Sequence, residues 1–178
     1  MSRSNPYKKP RRAAKQTILF YGEGMGEEIF LKHLRGIYTQ NSGLAVTIKR
    51  GKGGTADGIV LSAIKYSGAF DRKVVVLDND KSKGEMEKAR KLAEQHCIVL
   101  LENKPCLEAL LLGILEPKLN FEIKTSAWCK QEFHKKYIKK KQRSESHRYE
   151  TFFTKVILDK ARKRLKSLHE VILVMEGK

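Results

Sequence analysis

No apolar run in this chain is long enough to cross a bilayer, and no signal-peptide pattern is present. Cysteine is scarce. Cys97, Cys106 and Cys129 are an odd number with no Cys-x-x-Cys pair, which excludes a disulfide framework and fits a reducing, cytoplasmic setting with small buried thiols. Five histidines lie scattered without zinc-ligand spacing. Acidic residues are also under-represented: 37 lysines and arginines face 20 acids, for a formal net charge of +17. An excess this large attracts polyanions, nucleic acid first and anionic membrane second. The first fifteen residues hold Arg3, Lys8, Lys9, Arg11, Arg12 and Lys15 and no acid, and read as a flexible basic arm. The length of 178 residues suits one domain with a sizeable core.

Against this background the placement of the few acids is informative. Val74-Val75-Val76-Leu77 reads as a strand buried on both faces, as in a parallel sheet, and Asp78-Asn79-Asp80 follows it directly. Strand side chains alternate, so the two carboxylates point to one side. Like charges held that close repel. A hard divalent cation such as Mg²⁺, held by one or two carboxylates plus waters, removes the conflict. A solvated turn is the plainer explanation of the same residues.

A second acidic group follows another β-type run. Thr17-Ile18-Leu19-Phe20-Tyr21 leads into Gly22-Glu23-Gly24-Met25-Gly26-Glu27-Glu28, and the residues beyond have helical spacing. Glu27 falls near a first helical turn, where an acid also complements the helix dipole. That does not account for Glu23, between glycines before the helix begins. The glycines do not make a nucleotide site. Gly22-x-Gly24-x-Gly26 places Glu27 where the third glycine of a dinucleotide fingerprint belongs, and Gly51-Lys52-Gly53-Gly54-Thr55 lacks the P-loop order.

Glu23-Gly24-x-x-Glu27 after a first strand, with Asp78-x-Asp80 after a later one, resembles the TOPRIM domain of topoisomerases, primases, overcoming-lysogenization-defect nucleases and small RNA-maturing nucleases. Asn103-Lys104-Pro105-Cys106-Leu107-Glu108-Ala109-Leu110-Leu111-Leu112 is similar to the Asn-Pro-Cys-Phe-Glu-x-Trp-Leu-Leu signature of the RloB-like branch, associated with restriction and abortive-infection loci. The chain departs from that signature by an inserted Lys104, by Leu107 in place of Phe and by the missing tryptophan, and it carries Lys81 where family members often have a further acid. The three segments span roughly residues 17–115, in the family's order.

The resemblance implies a metal-dependent nuclease in anti-phage defence or in RNA or DNA processing. Glu23, Asp78 and Asp80 would be its catalytic carboxylates, binding Mg²⁺ or Mn²⁺ with Glu27 completing the cluster, and a separate ATPase or defence-system protein is an implied partner. Asn103 and Glu108 are candidate supporting residues. A carboxylate in so apolar a helix usually has a partner, so Glu108 is either a structural cap or ion pair or a support for the metal cluster. The alternative function is a non-catalytic nucleic-acid-binding or regulatory subunit of the same fold.

The remaining pattern predicts strands at 44–48, 73–78 and 97–101 and helices at 55–67, 83–95 and 106–115. Alternating strand and helix implies an α/β fold: a TOPRIM-like parallel sheet flanked by helices, with a basic helical C-terminal extension. The divisions are a basic arm over 1–15, an α/β core over 16–117 and the extension over 118–178. In the extension Trp128, Phe133 and Tyr137 interleave with basic residues, and 150–168 reads as one helix with Phe152, Phe153, Val156, Ile157, Ala161 and Leu165 as its core stripe. Val171-Ile172-Leu173-Val174 reads as a further edge strand. Candidate nucleic-acid contacts are Arg11, Arg12, Lys104, Lys136, Lys139, Lys140, Lys141 and Arg143, with no membrane partner; a solvated basic face is the plainer reading of these residues.

Overall fold

Two apolar, β-type runs form the middle of the sheet. In the computed structural model, which describes residues 14–40, 42–142 and 144–178, β1 (Gln16–Gly22) and β3 (Arg72–Asp78) lie side by side. β2 (Leu44–Arg50) and β4 (Val99–Asn103) flank them, giving the order β2-β1-β3-β4 with every pairing parallel. Alternation along each strand then feeds two separate cores. Ile18, Phe20, Val74 and Val76 pack with α1 (Met25–Tyr38) and α4 (Leu107–Leu115). Tyr21, Val75 and Leu77 pack with α2 (Ala56–Lys65) and α3 (Lys83–Gln95) on the other face. The fold is α/β, a four-stranded parallel sheet covered on both faces.

The connections create a crevice. From β1 the chain passes through α1 on one face out to β2, then returns through α2 on the other face to β3 on the far side of β1. The carboxyl ends of β1 and β3 therefore send their chains apart, and such switch points are where open α/β sheets bind ligands. Glu23 follows β1 and Asp78 ends β3, so both acidic motifs open onto this crevice.

The C-terminal helices are α5 (Ser126–Lys136), α6 (Ser146–Phe152), α7 (Lys155–Ala161) and α8 (Lys166–Glu176), with a 3-10 turn at Lys140–Gln142. They share one core with the sheet: Phe133, Tyr149, Phe153, Leu158 and Ile172 join the cluster built on Ile18 and Val74. No helix among the described residues is long and apolar enough to cross a membrane.

Several expectations need correction. The run 171–174 is helical, not an edge strand. Leu168, Val171, Ile172 and Met175 are buried at helical spacing in α8, and packing outweighs the β-preference of Val and Ile. The single helix expected over 150–168 is broken: Thr154 is extended (φ −66°, ψ 156°) as the N-cap of α7, which turns Val156 outward to 64% exposure. The fourth strand begins at Val99, because Cys97 takes a positive φ of 53° in the turn leaving α3, and this thiol is exposed rather than buried. Phe133 lies in the core and Tyr137 packs against it, donating its hydroxyl to Glu116 at 2.9 Å, so of the interleaved aromatics Trp128 alone is exposed.

Candidate metal centre

Val74 and Val76 face the α1/α4 side, so Asp78, two residues further on, points the same way. It is 6% exposed. Its Oδ1 accepts the Leu107 backbone N–H at 2.8 Å, at the start of α4, and the Asn103 side-chain amide at 3.4 Å from the neighbouring strand. Burial first, then Glu27 and Glu108, push its carboxyl up to about 8 against the pull of the Lys130 ammonium. An acid so perturbed in a crevice is a functional-site candidate on physical grounds.

Glu27 is the third residue of α1, and its Oε2 accepts the Gly24 N–H at 3.0 Å. It approaches β1 this closely because residue 22 is glycine: a Cβ there would stand 2.7 Å from the Glu27 Cβ. The glycine-rich turn thus admits a buried carboxylate rather than a pyrophosphate. Burial raises the Glu27 pKa, the bond from its own backbone N–H lowers it, and Glu108 and Glu23 add to the rise. Glu23 folds back over the end of β3, its Oε2 accepting the Asp78 N–H at 3.3 Å and its Oε1 standing 3.1 Å from the Lys81 ammonium.

Asp80 lies past the end of the strand. Its Oδ2 accepts from the Ser126 hydroxyl at 2.8 Å and from the Lys130 ammonium at 3.2 Å, both on α5. Burial works to raise its pKa, but Ser126 and Lys130 outweigh it and hold Asp80 below the usual carboxylate range. Lys130 also reaches Asp78 Oδ2 at 3.7 Å, so both acids of the motif converge on one ammonium. Desolvation works against that charge, yet Asp78 and Asp80 raise its pKa.

The tightest grouping differs from the expected one. Asp78, Cys106 and Glu108 bring their ligand atoms within 4.8 Å of one another. Glu108 is the second residue of α4, with His134 Nε2 at 3.8 Å, and Cys106 is its N-cap. This group can hold a metal ion. Without a metal, burial pushes the Cys106 thiol up to about 12, and the group's other two donors are carboxylate oxygens. Asp78 is therefore common to the expected cluster and the observed one, Glu108 joins it directly, Glu27 stands in its electrostatic field, and Glu23 and Asp80 are turned toward lysines.

Lys130, Ser126 and Cys106 are site residues that the sequence reading did not single out. Lys130 and Ser126 are separated from Asp80 by about half a hundred residues and carry no motif; only the docking of α5 beside α4 unites them. Cys106 lay inside the recognised Asn103–Leu112 segment, but its type argued for plain burial. Among the expected nucleic-acid contacts, Lys136 is engaged by Glu132 at 2.7 Å and Glu116 at 3.1 Å. Lys139 and Lys141 are exposed, whereas Arg11, Arg12 and Arg143 lie outside the described residues, as does the side chain of Lys140. Lys104 faces hollows lined by residues of α4, β4 and α8, not the acidic crevice.

The crevice itself is a cavity of about 490 Å³ whose lining includes Glu23, Glu27, Asp78, Glu108, Arg50 and Lys130. A larger hollow of about 690 Å³ lies against α7 and α8, but it gathers no comparable carboxylate group: its Glu176 is bound by Arg162 at 2.6 Å. Comparison with family models, curated proteins and solved structures found no match to this chain.

Proposed function

We propose that this chain is a phosphodiesterase dependent on Mg²⁺ or Mn²⁺ that acts on nucleic acid through a TOPRIM-like site. The observation that carries the reading is Asp78. A buried carboxyl raised to about 8 by burial and by Glu27 and Glu108, at a sheet switch point, is an arrangement that a divalent cation relieves. Asp78 and Glu108 would hold the cation, with Glu27 beside them. When bound it supplies Lewis acidity, activating water or stabilising charge on the departing oxygen. The chain's own groups do the rest. Asn103 and the Leu107 N–H fix the Asp78 carboxylate. Asp80, itself fixed by the Ser126 hydroxyl, holds Lys130 at the cavity, where its ammonium meets phosphate charge. Glu23 lines the same cavity and is the candidate proton carrier of the step, with Lys81 orienting it.

The net charge of +17 supports a polyanionic substrate. The test is incubation with labelled RNA, single-stranded DNA and duplex DNA in Mg²⁺, Mn²⁺ or EDTA. Product that appears with metal and not with EDTA supports the reading, and its absence for every substrate and metal counts against it. One observation favours a second reading, a binding module that cuts nothing: Lys130 already partly offsets Asp78 and Asp80 without a metal. Such a module would bind the same polymers and give no product.

A further inference from the structure

Among the described residues, three cations line the acidic crevice: Lys130, Arg50 and Lys52. They are not equally free. Lys130 is held by Asp78 and Asp80. Arg50 is paired with Glu28, its Nε 3.2 Å from that carboxylate, on a side chain that is 45% exposed. Lys52 is exposed, and no carboxylate among the described residues answers it.

The loop that bears them is tied in place. The Gly51 N–H donates to the Gly22 carbonyl at 2.8 Å and the Gly53 N–H to the Glu23 carbonyl at 3.3 Å, so β2 ends against the turn that carries Glu23. Gly51 eases that approach, since a Cβ there would make a tight 3.2 Å contact with the Glu23 carbonyl oxygen. One wall of the crevice is therefore acidic, and the facing loop offers a partly exposed guanidinium and an exposed ammonium without a carboxylate partner on a tied backbone. A guanidinium fork matches phosphate geometry, and a lysine adds a mobile point charge.

We infer that Arg50-Gly51-Lys52 is a phosphate clamp that seats a backbone phosphate of a nucleic-acid strand beside the acidic cluster. The clamp rests on the phosphodiesterase reading for its purpose, and it stands or falls on binding alone. It also moves the principal strand contact away from the Lys136–Lys141 run, because Lys136 is paired and Lys139 and Lys141 do not line the crevice.

The experiment measures binding of labelled RNA, single-stranded DNA and duplex DNA in EDTA across a salt series, for wild type, Lys52→Ala, Lys52→Arg and Arg50→Lys. Each phosphate contact contributes about −0.7 to −0.9 to the slope of log affinity against log salt. Lys52→Ala should flatten the slope by about that amount with at least one polymer, Lys52→Arg should restore it, and thermal unfolding should not move. Arg50→Lys should weaken binding at a nearly unchanged slope, since the charge stays and the fork is lost. The polymer that shows the effect identifies the source of the phosphate. An unchanged slope in Lys52→Ala with all three polymers, or no binding to any, overturns the clamp. Cleavage in Mn²⁺ is scored separately: a flattened slope with no cleavage keeps the clamp and removes the phosphodiesterase, whereas cleavage with an unchanged slope does the reverse.

Discussion

The Lys130 ammonium stands 3.7 Å from the Asp78 carboxylate, the most perturbed acid of the crevice. One lysine, reaching in from a helix that begins well after the sheet is complete, thus offsets charge that three other carboxylates intensify. The pair is partly open to solvent, with the Lys130 side chain 43% exposed, so its attraction is screened and adjustable. A cation that only partly neutralises a carboxylate cluster competes with any divalent ion for the same oxygens.

That competition gives the first prediction. Lys130→Met keeps most of the side-chain stem and removes the charge. Divalent-metal affinity, measured by calorimetry, should rise several-fold, while cleavage of nucleic acid should fall because the ammonium no longer meets phosphate. Unchanged metal affinity would show that Lys130 and the cation do not share Asp78.

The pH dependence follows from Asp78. Its folded-state pKa of about 8 lies above the value of about 3.9 expected in the unfolded chain. Between these limits the native state holds a proton that the unfolded state has lost, so stability falls as pH rises. The contribution is complete below about pH 4 and gone above pH 8. In EDTA, thermal unfolding of wild type minus that of Asp78→Asn should therefore decline across this window, and saturating Mg²⁺ or Mn²⁺ should flatten the decline. Asp78→Asn should fold and should not cleave. A difference curve independent of pH would mean that Asp78 is ionised throughout.

The Asn103 amide holds Asp78 from the neighbouring strand, paired Cα to Cα with it. Loss of such an orienting partner typically costs about 10- to 100-fold in metal affinity or activity. Asn103→Ala should fall in that range by metal titration and by cleavage rate, with the overall fold intact by circular dichroism. An affinity equal to wild type would make Asn103 a structural residue only.

The sheet and its acids were legible because their signals are local. Val74–Leu77 and Thr17–Tyr21 are apolar and β-rich enough to read as strands, and Asp78 and Glu23 follow them directly. The C-terminal third was not legible to the same degree. Val171–Val174 has the composition of a strand and is a helix because the core it meets accepts Leu168, Ile172 and Met175 on one stripe. Lys130 was visible only as one basic residue among many, since nothing in its neighbours reports that α4 and α5 pack together beside Asp80. Glu108 was visible as an anomaly, a carboxylate in an apolar helix, but its proximity to Asp78 depends on α4 starting where β3 ends.

Because α8 completes the core, it should be indispensable. Ile172 is fully buried. Ile172→Ala should cost about 2–5 kcal/mol in denaturant unfolding, the range for emptying a packed aliphatic site. A loss below about 1 kcal/mol, the scale of a surface change, would show that α8 is only peripheral to the fold.

The final prediction separates the two carboxylate groupings. If Asp78 and Glu108 hold the cation, Glu108→Gln should lose most of the metal-induced rise in unfolding temperature. Asp80→Asn should keep it, because Asp80 is directed to Ser126 and Lys130 rather than to the shared point near Cys106. Metal at 100 times its dissociation constant stabilises a one-site protein by about 2.7 kcal/mol, which is large enough to follow by thermal unfolding. Glu23→Gln should behave like Asp80→Asn in this assay, since Glu23 faces Lys81, yet it should lose cleavage if it carries the proton. The opposite pattern, with the metal shift surviving Glu108→Gln and vanishing in Asp80→Asn and Glu23→Gln, would return the centre to the Glu23, Asp78 and Asp80 set and require those side chains to rotate away from their lysines on binding. Cys106→Ser provides the check on metal type: a hard cation is indifferent to the change or prefers the oxygen, and a marked loss of affinity would instead identify a thiolate-bound, softer metal.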